Sequence, residues 1–274
     1  VYTAYLMDGV RPKTWYEERK GKWIIENNWP HNVLKEEWCF GDDENLFMHN
    51  GSEKNICVKV SSPQDCGLMS GEFCAIWLGP EMPGDQRSDD AKSACFTSSE
   101  LSEDINIFGA PKVQLRLKSD KSLAQIAVRL NDVHPDGAST RITYGVLNLA
   151  RRDCFEKPKN MEPDKSYDIE LAMDHIAYKV PRGHRIRVAL SSNYWPLIWP
   201  TPEVASLTIE RGKLDLPKRS KIAGDERIFP SPTTEKPWKV EEKRHPNNSR
   251  IISSDLSSGH VTIEIVDDFG AVCD

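Results

Sequence analysis

A serine nucleophile of the esterase and peptidase kind must sit on a tight strand-to-helix turn, which is why glycines flank it in Gly-x-Ser-x-Gly. No such pentapeptide occurs here, and the nearest approach is Gly137-Ala138-Ser139-Thr140-Arg141, with Arg141 in the place of the second glycine. The segment Asp132-Val133-His134-Pro135-Asp136-Gly137 has the opening of a calcium loop, but His134 replaces an oxygen ligand and Thr143 stands where a bidentate glutamate belongs. A hairpin turn closed by Gly137 explains the same residues without a metal. The seven histidines are scattered, and none has the i, i+4 spacing of a zinc protease. The seven cysteines contain no close Cys-x-x-Cys pair, so neither a zinc site nor a disulfide framework is expected. Several lie in apolar runs, as in ICVKV and GEFCAIWL, where a buried thiol acts as a small hydrophobe. No metal, cofactor or catalytic residue is therefore assigned.

One further cluster could bind rather than catalyse. Tyr194, Trp195 and Trp199, within SSNYWPLIWPTP, are the aromatic types that carbohydrate-binding modules use to stack sugar rings, provided that the three rings lie exposed on one face. Rigid aromatics beside proline equally suit the end of a sandwich or a contact with another domain.

The elements that must position these groups are strands. KVQLRLKS at 112–119, AQIAVRLNDV at 124–133, TRITYGVLNL at 140–149, SYDIELAM at 166–173 and HRIRVALSS at 184–192 alternate apolar and polar residues at period two, with one face apolar and the other solvated. Turn signals separate them, including Pro135-Asp136-Gly137. Many short strands at this spacing predict an all-β jelly-roll sandwich. A single helical turn is expected around Ser88–Ala94, with Ser88 as cap. Residues 1–211 form the predicted sandwich. Residues 212–274 are expected to be an extended arm, rich in proline and charge, plus a returning strand at Val261–Val266, within the same domain.

Charged residues at 28%, hydrophobic ones at 38% and a net charge of -6 describe an ordinary folded chain without a basic field for nucleic acid or anionic lipid. No apolar run reaches membrane-spanning length and no signal peptide is evident, so the expected compartment is the cytoplasm. The chain opens on a strand-like run without Met and stops just after another, which suggests a piece of a longer polypeptide.

An ordered series of segments resembles the C-terminal non-catalytic domain of the cocaine esterase and X-prolyl dipeptidyl-peptidase family, often written CocE/NonD. It comprises Met7-Asp8-Gly9, Gly21-Lys22-Trp23, Asn28-Trp29-Pro30, Gly84-Asp85-Gln86-Arg87-Ser88-Asp89-Asp90 with Phe96, Ser98 and Leu101, Leu130-Asn131-Asp132-Val133, Gly145-Val146-Leu147-Asn148, Gly183-His184-Arg185-Ile186-Arg187, and Ser192-Asn193-Tyr194-Trp195-Pro196 with Trp199-Pro200. The resemblance implies a galactose-binding-like jelly roll packed on an upstream α/β-hydrolase domain of the same polypeptide, which carries the Ser, Asp and His. The fragment would then contribute scaffold, pocket wall and oligomer contacts. The expected pocket-wall segment is Phe73–Leu78, with Phe73, Ile76 and above all Trp77 as contacts, against the alternative of an ordinary core strand. Asp85 and Arg87 are expected to pair with each other or across the domain boundary, alongside Tyr194, Trp195 and Trp199.

Overall fold

The computed structural model describes residues 1–27, 34–49, 54–76, 79–220, 224–236 and 238–273. In chain order the strands are β1 (Tyr2–Asp8), β2 (Gly21–Glu26), β3 (Leu34–Phe40), β4 (Asn45–Met48), β5 (Val58–Val60), β6 (Ala94–Ser98), β7 (Ile105–Gly109), β8 (Lys112–Ser119), β9 (Gln125–Val133), β10 (Ser139–Asn148), β11 (Tyr167–Ala172), β12 (Ile176–Val180), β13 (Arg185–Ser191), β14 (Leu207–Lys218), β15 (Glu241–Arg244), β16 (Asn247–Ser254), β17 (Val261–Asp268) and β18 (Ala271–Cys273). One helical turn, α1 (Arg87–Asp90), precedes β6. The predicted all-β sandwich is the observed class.

β8 shows why alternation makes a strand. Val113, Leu115 and Leu117 enter the core while Lys112 and Gln114 face water, and β11 pairs beside it with Ile169 opposite Leu115. The long β14 ties the sandwich together: it pairs with β8 from Leu207 to Asp215, with β5 at Leu207–Ile209 and β3 from Lys213 to Lys218, and meets β7 at Lys218. A bulge between Ile209 and Arg211 shifts its register against β8. At Gly212 an added Cβ would lie 2.1 Å from the Phe40 ring, so only glycine lets β14 cross that core. Phe40 stacks on Phe96 with 4.2 Å between ring centroids, amid fully buried Ile107, Leu117, Leu130, Val188 and Leu214.

The β9–β10 hairpin turns at Pro135–Gly137, where Gly137 adopts φ +87° and donates its N–H to the His134 carbonyl. Three expectations need correction. β9 is buried from Ile126 to Val133, on both faces, because α1 and the 62–70 segment cover the side that alternation assigned to water. The helical turn starts at Arg87 after Gln86, and Ser88 makes no cap. Residues 212–218 are strand: Leu214 and Leu216 point inward and the strand continues through Pro217 to Lys218, so the arm begins later. Among the described residues of 227–240 no strand or helix occurs, and the strands that follow form two small sheets, the β16–β17 hairpin and the pair β15 with β18 that flanks it in sequence.

Candidate functional site

On the covered face of β9 the strand presents Arg129 and Asn131, and α1 sets Asp89 and Asp90 above them. Asp90 accepts hydrogen bonds from Asn131 Nδ2 (3.0 Å), Ser139 Oγ (2.8 Å) and Arg187 Nη1 (3.0 Å), and Arg129 Nη2 lies 3.4 Å away. Asp89 accepts from the Gly67 and Met69 amides at 3.0 and 3.1 Å, with Arg129 Nη1 at 3.8 Å. Burial pushes the Asp89 carboxyl above the usual carboxylate value, against those two amides and the guanidinium. Each charge thus has partners, as burial requires. Ser139 is spent here: its hydroxyl serves Asp90, its amide donates to Asp85 Oδ1 (3.2 Å) and its carbonyl accepts from the Gln86 amide. The residue closest to a nucleophile in sequence is a structural one.

At the end of β9 the fold joins histidines that lie far apart in sequence. Because Val133 pairs with Arg185 across β9 and β13, His134 and His184 become neighbours, their ring centroids 4.4 Å apart, with Asp132 between them. His184 Nδ1 bonds Asp132 Oδ1 at 2.7 Å, and the Tyr178 hydroxyl donates to Oδ2 at 2.9 Å. The Thr140 hydroxyl donates to the Val10 carbonyl at 2.8 Å, so the 3.0 Å contact at His134 Nε2 requires the ring to donate. Ligand atoms of Asp132, His134 and His184 lie within 4.8 Å of one another, but a cation there would have to displace these bonds. Burial holds the His134 pKa below the usual imidazole value, opposed by Asp132.

The 71–82 loop has the opposite character. Gly71, at φ +71°, starts it, the Glu72 amide donates to the Glu81 carbonyl at 2.8 Å, and the Ile76 amide donates to Glu81 Oε2 at 2.5 Å. On this closed frame Phe73 is 83% exposed and Ile76 53%. The described part of Phe73–Leu78 is therefore no core strand, and Trp77 and Leu78 lie outside the described residues. Cys74 and Cys57 are exposed, not buried as their apolar neighbours suggested, while Cys39 and Cys66 are buried. Beyond the loop, Asp85 and Arg87 pair with each other, Nη2 to Oδ2 at 2.7 Å, which holds the turn into α1.

The aromatic cluster does not form a platform. Tyr194 is fully buried, its hydroxyl between Arg141 Nη1 (2.8 Å) and Gln86 Oε1 (3.3 Å), whereas Trp195 is half-buried and Trp199 is 85% exposed. The sugar-stacking reading needed three exposed rings on one face, and burial of Tyr194 removes it. Trp195 and Trp199 instead line a cleft of about 920 Å³ with Pro63, Pro202 and His260.

The model of the X-Pro dipeptidyl-peptidase C-terminal non-catalytic domain matches residues 5–241. The chain belongs to this family. Like other X-Pro C-terminal domains it is non-catalytic, in keeping with the structural use of Ser139. Over 120 residues it is 26% identical to the cocaine esterase of Rhodococcus sp. (strain MB1 Bresler), 43% of this chain and 21% of the esterase. Its fold is shared with an aminopeptidase of the marine sediment archaeon Thaumarchaeota archaeon, at TM-score 0.62 and 18% identity over 72% of this chain and 38% of that one. An α-amino acid ester hydrolase gives TM-score 0.62 and 17% identity over 72% and 39%. The chain thus spans well under half the length of these relatives. Among the described residues no helix is long and apolar enough to cross a membrane.

What sequence reasoning missed in this X-Pro C-terminal domain is the buried ionic layer and the joined histidines. Their signal was present: Arg129, Asn131 and Asp132 crowd three polar residues into one turn-free stretch of a strand with no Gly or Pro, and Asp89-Asp90 follows one residue after Asp85-Gln86-Arg87.

Proposed function

We propose that the intact polypeptide is a serine hydrolase in which this sandwich packs on an upstream α/β-hydrolase domain. That domain supplies Ser, Asp and His and cleaves an ester or amide through an acyl-enzyme. The relatives' names and the family support this reading. Within it, the 71–82 loop and the Asp85–Arg87 turn meet the catalytic domain and wall its substrate pocket, with the exposed Trp199 surface as a second contact. One observation carries the assignment: Phe73 and Ile76 are apolar and exposed on a loop that hydrogen bonds hold in one shape, a form suited to insertion into a partner.

We further propose that residues 212–274 belong to the same unit, because β14 runs through residue 212 and Arg219 is buried between Glu26 and Asp225. We also propose a cytoplasmic location, in keeping with exposed free thiols at Cys57, Cys74 and Cys154. Its net charge of -6 suits neither a nucleic-acid nor an anionic-lipid partner, and a homo-oligomer through the bare apolar surfaces is compatible with the reading.

The test is hydrolysis of a p-nitrophenyl ester and of an X-Pro-p-nitroanilide by this chain and by the chain extended upstream through the next domain. Turnover and fluorophosphonate labelling confined to the longer polypeptide are expected, and the preferred substrate then names the enzyme. Hydrolysis by the 274-residue chain itself would overturn the accessory role.

A further inference from the structure

The family match ends at residue 241, and the β16–β17 hairpin lies beyond it. Its register places Arg250 opposite Ile265 and Ile252 opposite Ile263, so one face of the hairpin carries an arginine and three isoleucines. That face turns toward the 67–84 segment, and the two enclose a cavity of about 270 Å³ lined by Met69, Met82, Pro196, Ile252, Ile263 and Ile265. The approach is close at the loop: an added Cβ on Gly79 would lie 3.3 Å from the Asn248 Cβ.

Arg250 is the polar link. Its side chain is 16% exposed and faces three carboxylates: Glu72 Oε1 at 3.1 Å from Nε, Asp267 Oδ1 at 3.2 Å from Nη1, and Glu81 Oε1 at 3.9 Å from Nη2. Glu81 is buried, and its other carboxylate oxygen takes the Ile76 amide. A chain of contacts therefore runs from the hairpin through Arg250 and Glu81 to the backbone beside Phe73. Without the guanidinium, Glu72, Glu81 and Asp267 would lose the positive charge that they share, one of them out of water.

We propose that Arg250 is a positioning residue: the C-terminal hairpin clamps residues 71–76 through Glu72 and Glu81 and fixes how Phe73 and Ile76 are presented. Its consequence for substrate affinity rests on the reading that this loop walls the pocket of the upstream domain. The clamp itself does not.

Amide hydrogen exchange on this chain tests the clamp. R250Q should raise exchange at the Ile76 and Glu72 amides about tenfold or more, with R250K between the two because it keeps the charge but loses the fork. If R250Q also frees the hairpin, seen as faster exchange at Ile263, then E81A is the deciding variant: it removes the acceptor, and should release the Ile76 amide while leaving Ile263 protected, since Arg250 keeps Glu72 and Asp267. Unchanged Ile76 exchange in R250Q, or in E81A where that variant decides, overturns the inference whatever the kinetics show. In the polypeptide extended through the catalytic domain, R250Q should raise KM several-fold with kcat within about twofold. Faster loop exchange with unchanged KM would keep the clamp and overturn the pocket-wall reading instead.

Discussion

Two turns about ten residues apart in sequence solve opposite problems. In the 85–90 turn Asp89 and Asp90 are inside, satisfied by backbone amides, Arg129, Asn131, Ser139 and Arg187. In the 71–76 segment Phe73 and Ile76 are outside, with no core beneath them among the described residues. Polar groups lie in and apolar groups out, against the usual preference. The difference teaches that cover, not residue type, decides burial: α1 is held over β9 by hydrogen bonds that the strand itself supplies, whereas the loop awaits a surface that this chain does not provide. The first turn should therefore be sensitive to change in the isolated chain, and the second only in the larger polypeptide.

The largest expected effect tests the first half of that contrast. Asp90→Ala removes the acceptor of three hydrogen bonds and leaves buried Arg129 with Asp89 as its remaining carboxylate, 3.8 Å away, so unfolding free energy should fall by about 3–5 kcal/mol. Urea denaturation measures it. A loss under about 1 kcal/mol would mean that the layer is open to water and that the comparison fails at its root.

This layer is also where the sequence was least legible. β8 could be read residue by residue, since Val113, Leu115 and Leu117 have solvated neighbours and period two survives. β9 could not, because the same alternation places Arg129 and Asn131 toward a face that α1 covers, and what covers a strand is a tertiary fact. Likewise Pro217 reads as a break, although Leu214 and Leu216 continue the inward pattern up to it and the strand runs on to Lys218. The resemblance located the Asp85–Asp90 and Tyr194–Trp199 segments, but it could not say that Tyr194 is buried while Trp199 is bare. Nor could local pattern show that the run from Phe73 to Ile76 is a loop: that depends on the Glu72–Glu81 closure and on a hairpin nearly two hundred residues away in the chain.

A smaller effect should come from the residue that joins the turn to the core. Gln86 donates to the carbonyls of Met69 and Gly84 at 2.7 and 2.9 Å and accepts from Tyr194. Gln86→Leu takes away one partner from each of these groups and should cost about 1–3 kcal/mol. If thermal unfolding shows no change, the contacts through Gln86 are not what seats α1 on β9.

Acid reaches the same strand through its end. Burial depresses the His134 pKa, so in the window below the usual imidazole value of about 6.5 the unfolded chain binds a proton that the native chain does not. Stability should then fall as pH drops through that window and be fully present above it. The charged and titratable neighbours that set the slope are Asp132, His184, Asp136 and Arg11. His134→Gln keeps a donor for Thr140 and should reduce the slope of denaturation midpoint against pH between about 7 and 5. Equal slopes in the two proteins would show that His134 is solvated and does not belong to the buried region.

The smallest expected effect is the most discriminating. Phe73→Ser removes a large apolar side chain that is 83% exposed, so the stability of this chain should change by no more than about 0.5 kcal/mol. The same change in the polypeptide extended through its catalytic domain removes an anchor, and should weaken substrate affinity or the packing between domains. Stability measured on the isolated chain and KM measured on the extended one thus separate a loop that folds the domain from a loop that serves a partner. A stability loss of 2 kcal/mol or more, as a filled core position would give, places Phe73 with Asp90 as a structural residue and ends the contrast between the two turns. Unchanged stability together with a raised KM puts the two turns in different roles: Asp90 acts within the sandwich, and Phe73 acts on what the sandwich touches.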